Sequence, residues 1–291
     1  MSPRRDILPG VLLLGVTAIW GVTFVMVKDA VALYPPVTFL AARFLLAAGI
    51  LGAFALRHPA DARLGLLIGA LLAVGYLTQT YGLLTVQAST AGLLTGMFVV
   101  FTPLCDAVLF RVRTPRVTLF AVALALGGMI ALTYGGSLHR GELIGEGLLL
   151  VCALAFAGHI ALLSHHSRNH SAFGLAAWQM VACGLVFSAG SVGTHTVAVP
   201  PPAVVPALLV TGIGASALGF LVQTYVQRRL SAGRAALLLT AEPAFAVLFG
   251  VLLAGDRLSP LKMGGAGVIL VVLAGHEAIL ARRRPEGAPE G

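Results

Sequence analysis

Long apolar stretches, separated by short breaks that carry charges or proline, run through the chain from residue 7 to residue 281. A stretch of about 20 residues is the length at which an α-helix crosses roughly 30 Å of hydrocarbon. The stretches lack the period-two alternation of strands and are too long for the strands of a membrane barrel. Ten membrane-spanning helices are therefore predicted, at 7–27, 35–56, 64–84, 88–110, 117–134, 143–163, 172–193, 203–227, 232–254 and 259–281.

The two ends of the chain differ from this pattern. The first apolar stretch is long enough to span a membrane and no cleavage-like pattern follows it, so a secretory signal peptide is not predicted. Residues 282–291 are rich in Arg, Pro, Glu and Gly. They are predicted to form a disordered cytoplasmic tail.

Part of the first half returns in the second half, at an offset of 144 positions in the later part of each half and 136 in the earlier part. The matched pairs are Gln79-Thr80-Tyr81 with Gln223-Thr224-Tyr225, segment 88–94 with 232–238, Trp20 with Phe156, and Arg43 with Gln179. Two repeats are therefore predicted, over 7–134 and 143–281. Each repeat holds five spans, an odd number, so the second repeat enters the membrane from the opposite side. Inverted repeats are typical of secondary transporters, which bind substrate near the bilayer midplane.

Composition and charge agree with an all-α integral membrane protein. Hydrophobic residues make up 58% of the chain and charged residues 10%, against about 25% charged residues in soluble domains. If the N-terminus is cytoplasmic, the cytoplasmic loops carry most of the Lys and Arg, which predicts a multi-pass plasma (inner) membrane protein with both termini cytoplasmic. The basic residues are dispersed over short loops, so the net charge of +8 is assigned to topology and the lipid bilayer, and nucleic acid is not a predicted partner.

Four segments resemble the motifs of EamA-domain proteins of the drug/metabolite transporter superfamily, and together they extend over nearly the whole chain. They are Ala18-Ile19-Trp20-Gly21-Val22-Thr23-Phe24, segment 36–44, segment 88–94 with Thr102-Pro103, and segment 235–246 with 255–259. The resemblance implies ten helices and the movement of small metabolites such as amino acids, often outward. The first half has Arg111-Val112-Arg113 where the family has an acidic residue after the fourth helix, so matched acidic turns are not implied.

Two charged residues inside predicted spans are candidates for transport, because a charge at the bilayer centre costs about 2.5–3.5 kcal/mol and usually faces a cavity or a partner. Arg43 is interpreted either as a group that attracts a substrate carboxylate or as a structural residue that holds helix-end carbonyls. Glu242 directly precedes Pro243. It is a candidate for proton coupling, and the alternative is a side chain that bonds backbone groups freed by the proline.

Polar and aromatic residues within other spans complete the predicted site. Gln79, Tyr81, Gln223 and Tyr225 occupy repeated positions, so they are expected near the interface of the repeats, either binding a polar substrate or joining helices. Trp20 with Thr23 and, separately, His159 are further candidates. The predicted substrate site is Trp20, Thr23, Arg43, Gln79, Tyr81, His159 and Gln223. Pro103 and Pro243 are predicted to kink their helices, since proline removes a backbone donor.

The chain contains no Gly-Lys-Ser/Thr phosphate loop and no zincin pattern, and its three cysteines stand alone; no catalytic residue, metal or cofactor is predicted. The predicted function is a secondary transporter, with export as the direction, of small metabolites such as amino acids and related amphipathic compounds, by alternating access. An intramembrane enzyme and a passive channel are the alternatives. The oligomeric state is left open, a monomer included.

Overall fold

The computed structural model describes residues 7–114, 116–134, 140–228 and 238–283. This part of the chain is helical and contains no strand, which confirms the all-α prediction. The helices are α1 (Ile7–Leu33), α2 (Pro36–Arg57), α3 (Ala62–Gly82), α4 (Ala88–Gly96), α5 (Phe98–Phe110), α6 (Arg116–Tyr134), α7 (Arg140–His166), α8 (Ala172–Gly193), α9 (Val205–Leu209), α10 (Gly219–Gln227), α11 (Ala241–Leu253) and α12 (Pro260–Arg283). The part of the predicted tail at 284–291 lies outside the described residues.

Seven helical segments of the described residues are long and apolar enough to cross a membrane. They are Leu8–Leu33, Pro36–Arg57, Pro59–Gly82, Ala88–Phe110, Arg140–Asn169, Ala172–Gly193 and Pro202–Gln227. Shorter apolar helices cover Arg116–Ala131, Ala241–Leu253 and Pro260–His276. The protein is therefore a multi-pass membrane protein, and the count of ten spans stays a prediction.

The first helix continues through Lys28 and Asp29, where the sequence predicts a break. Lys28 keeps its charge solvated by donating hydrogen bonds to the carbonyl oxygens of Leu83 and Val86, at 3.0 and 2.6 Å. Those carbonyls follow the end of α3, where a helix leaves its last acceptors unpaired. The helix ends instead at Leu33, shortly before Pro35 and Pro36, since the residue before a proline is held out of the helical region.

Two of the apolar segments are interrupted near their middle. The fourth breaks at Met97, between α4 and α5, and Pro103 lies inside α5. A turn at Thr240 precedes α11, which places Pro243 in the first turn of that helix. A proline costs little there, because the first N–H groups of a helix have no intrahelical acceptor. Residues 210–218, between α9 and α10, form a π-helix, a rare geometry that is frequently found at functional sites.

Loop contacts define two ends of the helix bundle. At one end, the His170 ring nitrogen Nδ1 lies 2.7 Å from the Asp61 carboxylate, and the ring of Phe110 stacks on His165 at 3.8 Å. At the other end, the Thr38 and Ser191 hydroxyl oxygens are 2.9 Å apart. The Lys262 ammonium also lies 3.2 Å from Glu142 there. The first three contacts join the first half of the chain to the second. The pair of Lys262 and Glu142 joins two helices within the second half.

Close helix packing depends on small residues. The principal helix pairs are α2 with α8, α3 with α7 and α8, α1 and α4 with α11, and α6 with α12. At the crossing of α4 and α11, a Cβ added at Gly92 would overlap the Cβ of Ala246, and one at Gly96 would lie 2.8 Å from Pro243 Cγ. Small residues permit such approach in membranes, where packing rather than hydrophobic burial holds helices together.

The acidic turn after α11 has a structural role. Gly255 adopts a left-handed conformation with φ of 67°, and the next residue, Asp256, accepts a hydrogen bond from the Ser89 backbone N–H at 2.8 Å. The carboxylate therefore caps the start of α4, where the backbone donors of a helix are unpaired. Arg111 ends α5 in the same left-handed region, with φ of 57°, but Val112 follows it and offers no such acceptor.

Candidate functional site

A cavity of about 40 Å³, partly open to its surroundings, lies between the two halves of the chain, about midway along α1. This volume holds about three water molecules and is well below the roughly 300–1,000 Å³ of typical small-molecule sites. Its walls come from α1, α3, α5, α7, α10, α11 and the residue before the turn that precedes α11. The lining residues are Trp20, Thr23, Phe24, Leu72, Tyr76, Gln79, Phe98, Phe156, His159, Ile160, Phe220, Gln223, Leu239 and Glu242.

Most of the cavity wall consists of positions that match between the halves at offsets of 136 or 144. The matched lining pairs are Trp20 with Phe156, Thr23 with His159, Phe24 with Ile160, Tyr76 with Phe220, Gln79 with Gln223, and Phe98 with Glu242. Equivalent backbone positions thus face the same space, but their chemistry differs. The carboxyl group of Glu242 faces the cavity from one half, and a phenyl ring occupies the matching place in the other.

Four aromatic rings form a connected part of the wall. Trp20 and Phe220 have ring centroids 5.5 Å apart. Tyr76 meets Phe220 edge to face at 6.1 Å and Phe156 at 5.3 Å. Such tilted arrangements suit the charge distribution of aromatic rings. The ring contacts therefore stiffen this part of the cavity wall.

Two polar side chains of the wall lack a described partner. Glu242 is 6% exposed and forms no ion pair or hydrogen bond among the described residues. The expected bond from this carboxylate to backbone groups freed by Pro243 is thus absent from the described part of the chain. The Gln223 oxygen Oε1 is also buried without a hydrogen-bond partner there. Buried polar groups are normally satisfied, so these two are available to a ligand.

Other polar groups of the wall are engaged by the protein. The His159 Nε2–H donates to Gln179 Oε1 at 2.7 Å, and the Gln179 amide donates to the Leu175 carbonyl at 3.1 Å. The Trp20 indole N–H donates to the Ala215 carbonyl of the π-helix at 2.8 Å. Thr23 donates to the carbonyl of Trp20 at 2.7 Å. These bonds hold the side chains in place and leave their remaining surfaces toward the cavity.

Arg43 lies behind the wall and does not line the cavity. Its guanidinium carbon is 4.4 Å from the centroid of Tyr76 and 5.2 Å from that of Phe44. Its Nε donates to the Ser216 hydroxyl of the π-helix at 2.8 Å. The side chain is 1% exposed, and its Nη2 has no partner within the described residues. Arg43 therefore supports Tyr76 and the π-helix from outside the cavity.

Tyr81 does not join the cavity, and 38% of it is exposed. It lies two residues beyond Gln79 on α3, and residues two apart on a helix point in nearly opposite directions. Of the repeated Gln-Thr-Tyr segment, only the glutamine lines the cavity in each half. Tyr76 also lines the cavity, although it is not among the site residues predicted from the sequence. Tyr76 lies three residues before Gln79 on α3, so helical spacing places both on one face, and this spacing is the sequence signal that points to Tyr76.

His165, near the end of α7, and His170, shortly after it, have carboxylate and aromatic partners. His170 pairs with Asp61 at 2.7 Å, and His165 lies 3.4 Å from Asp106 while it stacks on Phe110. No group of three His, Cys, Asp or Glu side chains arranged for a metal ion occurs among the described residues.

Comparisons with known proteins agree on one family. The model of the EamA-like transporter family matches the chain twice, over residues 8–134 and 143–275. An uncharacterised transporter of Archaeoglobus fulgidus is 32% identical over 258 residues, covering 89% of this chain and 82% of that protein. The uncharacterised inner membrane transporter YedA of Escherichia coli K12 is 29% identical, covering 93% of this chain and 92% of that protein.

Two further similarities bear on function and on fold separately. A probable amino-acid metabolite efflux pump of Salmonella typhimurium is 26% identical, covering 93% of this chain and 94% of the pump. A solved structure titled only "Crystal structure of protein" superposes with a TM-score of 0.68 at 17% identity, covering 97% of this chain and 99% of that one. At that identity the solved structure supports the fold alone.

Proposed function

This chain belongs to the EamA-like transporter family, and from this premise we propose that it is a secondary transporter of small amphipathic metabolites, amino acids among them. The family implies a small-molecule substrate and a lipid bilayer around the protein. Export is the proposed direction, supported by the similarity to an amino-acid metabolite efflux pump. The inner membrane is the proposed location, supported by the similarity to YedA.

The small cavity between the two halves carries the proposal, and it would widen to admit a metabolite as one repeat rocks against the other. Its wall is mostly apolar and aromatic with a few polar groups, as in sites for small organic ligands. It is built from matched positions of both halves, and transporters with inverted repeats bind substrate at such an interface. We assign substrate contact to Trp20, Thr23, Gln79, His159, Gln223 and Glu242. Arg43 is a positioning residue, and Tyr81 is not included.

We further propose ten spans in two inverted repeats, 7–134 and 143–281, with both termini cytoplasmic. Two of the principal helix pairs, α2 with α8 and α6 with α12, join helices at matched positions. The two matches of the family model support the same division. A twofold relation between the repeats makes such self-matched pairs expected. Rocking of one repeat against the other would then expose the cavity to each side in turn.

Glu242 is the proposed site of proton coupling. It is the carboxyl group among the described lining residues, and the titratable side chains that share the cavity with it are His159 and Tyr76. A carboxyl group that binds either a proton or the substrate links the two fluxes. If Glu242→Gln leaves substrate flux equally responsive to an imposed pH gradient, Glu242 is not the coupling group.

Flux into proteoliposomes tests the transport proposal directly. Purified protein is reconstituted, and uptake of a broad panel of labelled amino acids, amines and small aromatic metabolites is measured against empty liposomes. We expect saturable flux for at least one class. Flux that never saturates would favour a passive channel, chemical conversion of the substrate would favour an intramembrane enzyme, and no flux by folded protein across the panel would contradict transport.

A further inference from the structure

We infer that the cavity binds organic cations, namely primary or substituted amines that carry an aromatic or apolar group, more tightly than zwitterions such as amino acids, and that it binds anions most weakly. The inference rests on the proposed function, because it takes this cavity as the substrate site. It adds the charge of the ligand, which the family similarity leaves open.

The first argument is the charge of the wall. Glu242 is 6% exposed, has no partner among the described residues and lines the cavity. No Lys or Arg side chain lines the cavity in the described part of the chain. A buried carboxylate with no ion-pair partner among the described residues is completed by a ligand ammonium group, which supplies both the opposite charge and hydrogen-bond donors.

The second argument is the aromatic wall. Trp20, Phe220, Tyr76 and Phe156 follow one another with ring centroids 5.3–6.1 Å apart. The negative faces of aromatic rings attract a cation within about 6 Å, most strongly when water is excluded. The same rings provide apolar surface for the rest of the ligand. The unpartnered Gln223 oxygen adds an acceptor for a second ammonium N–H.

The third argument is the placement of the nearby arginine. Arg43 would favour a carboxylate if its guanidinium reached the cavity, but Tyr76 and Phe44 cover it and Ser216 accepts from its Nε. Its guanidinium therefore forms no direct ion pair with a ligand in the cavity. The ammonium group of a zwitterion would gain the contact with Glu242. Its carboxylate would lie against aromatic rings without a cation to pair with.

The test uses three probes that share a phenylethyl group: phenethylamine as the cation, phenylalanine as the zwitterion and 3-phenylpropionate as the anion. The chain has two tryptophans, so Trp178→Phe leaves Trp20 as the fluorophore in the cavity wall. Each probe is titrated at pH 7 into the Trp178→Phe protein reconstituted in liposomes. Binding is followed by the change in Trp20 emission. We expect phenethylamine to bind at least about tenfold more tightly than phenylalanine, and 3-phenylpropionate weakest.

The matched variants are Glu242→Gln and Glu142→Gln in the same background. Each removes one carboxylate, but Glu142 pairs with Lys262 at one end of the bundle, away from the cavity. We expect the preference for phenethylamine to disappear in Glu242→Gln and to persist in Glu142→Gln. Should Glu242→Gln fail to fold, the charge series in the parent protein still decides the matter.

Failure of this inference is distinguishable from failure of the transport proposal. Tighter binding of phenylalanine or 3-phenylpropionate would overturn the cation preference, while transport would stand. Absence of a response to all three probes would also overturn the inference. The flux panel described above would then decide separately whether the protein transports anything.

Discussion

Individual residues of the cavity wall are held by specific hydrogen bonds, and the pair of His159 and Gln179 shows this most clearly. Both side chains are buried, at 1% and 0% exposed, and Gln179 bonds His159 with its oxygen and a backbone carbonyl with its amide. The amide orientation therefore determines which ring nitrogen of His159 carries the proton. The sequence indicated His159 as a site residue but not that Gln179 orients it.

Replacing Gln179 by Leu should destabilise the protein by about 1–3 kcal/mol, because the His159 N–H would stay buried without an acceptor. Thermal unfolding in detergent measures the change. The double variant His159→Leu/Gln179→Leu should recover part of the loss, since both polar partners are then gone. Additive losses in the double variant would contradict the predicted coupling.

For Arg43, the sequence predicted that the side chain must have partners but not which partners they are. The cost of a charge in hydrocarbon indicated that it must have partners, and it has Ser216, Tyr76 and Phe44. Which of its two interpretations applies depends on distant segments of the chain. We expect Arg43→Lys to lower the transport rate, because a compact ammonium group cannot both stack on the ring and bond Ser216. An unchanged saturating rate would contradict this positioning role.

Helices in this protein are shaped by small residues and interruptions more than by amphipathic patterns. The π-helix at 210–218 supplies the acceptors for both Trp20 and Arg43 through Ala215 and Ser216. Apolar spans look alike in sequence, so the pattern predicted where helices lie but not that one contains a π-helix. A proline likewise indicated an irregularity near 103, whereas the structure interrupts that segment at Met97.

The crossing of α4 and α11 is the element-scale feature most sensitive to substitution. We expect Gly92→Val to destabilise the protein by about 1–3 kcal/mol or more, because the added atoms overlap Ala246 in a packed interface. Gly15→Val is the matched control on α1, since nothing lies within 4 Å of an added Cβ there. Equal melting temperatures in detergent for the two variants would show that the crossing is looser than described.

At the scale of the whole molecule, the proposed orientation follows from the distribution of Lys and Arg. With both termini cytoplasmic, a fluorescent protein fused to the C-terminus should fluoresce, and alkaline phosphatase fused there should be inactive. Truncation of the chain at residue 138 before the same fusions should reverse both signals, because an odd number of spans precedes that point. Activity of the phosphatase at the C-terminus would contradict the orientation.

Alternating access makes a second prediction at this scale. Thr38 of α2 and Ser191 of α8 contact each other at one end of the bundle, with hydroxyl oxygens 2.9 Å apart. Cysteines at both positions should form a disulfide on oxidation, and we expect transport to stop because that end can no longer open. Reductant should restore flux, and each single cysteine variant should be unaffected by oxidant. Full flux in the cross-linked protein would contradict opening at this end.

The sequence alone determined the all-helical membrane class and the family, because spans of about 20 apolar residues and the motifs around Trp20 and Glu242 are local properties of the chain. It also identified Trp20, Thr23, Gln79, His159, Gln223 and Glu242, all of which line one cavity. Polar residues are costly in hydrocarbon, so they stand out in an apolar span.

Only the tertiary structure decided which direction each of these residues faces and what lies beside it. Tyr81 turns outward and Arg43 lies behind Tyr76, since side-chain direction follows from helical rotation and from packing between distant segments. Tyr76 and Phe220 line the cavity for the same reason. Aromatic residues are common in membrane spans. The local sequence around such a residue does not indicate whether its side chain lines a cavity or packs between helices.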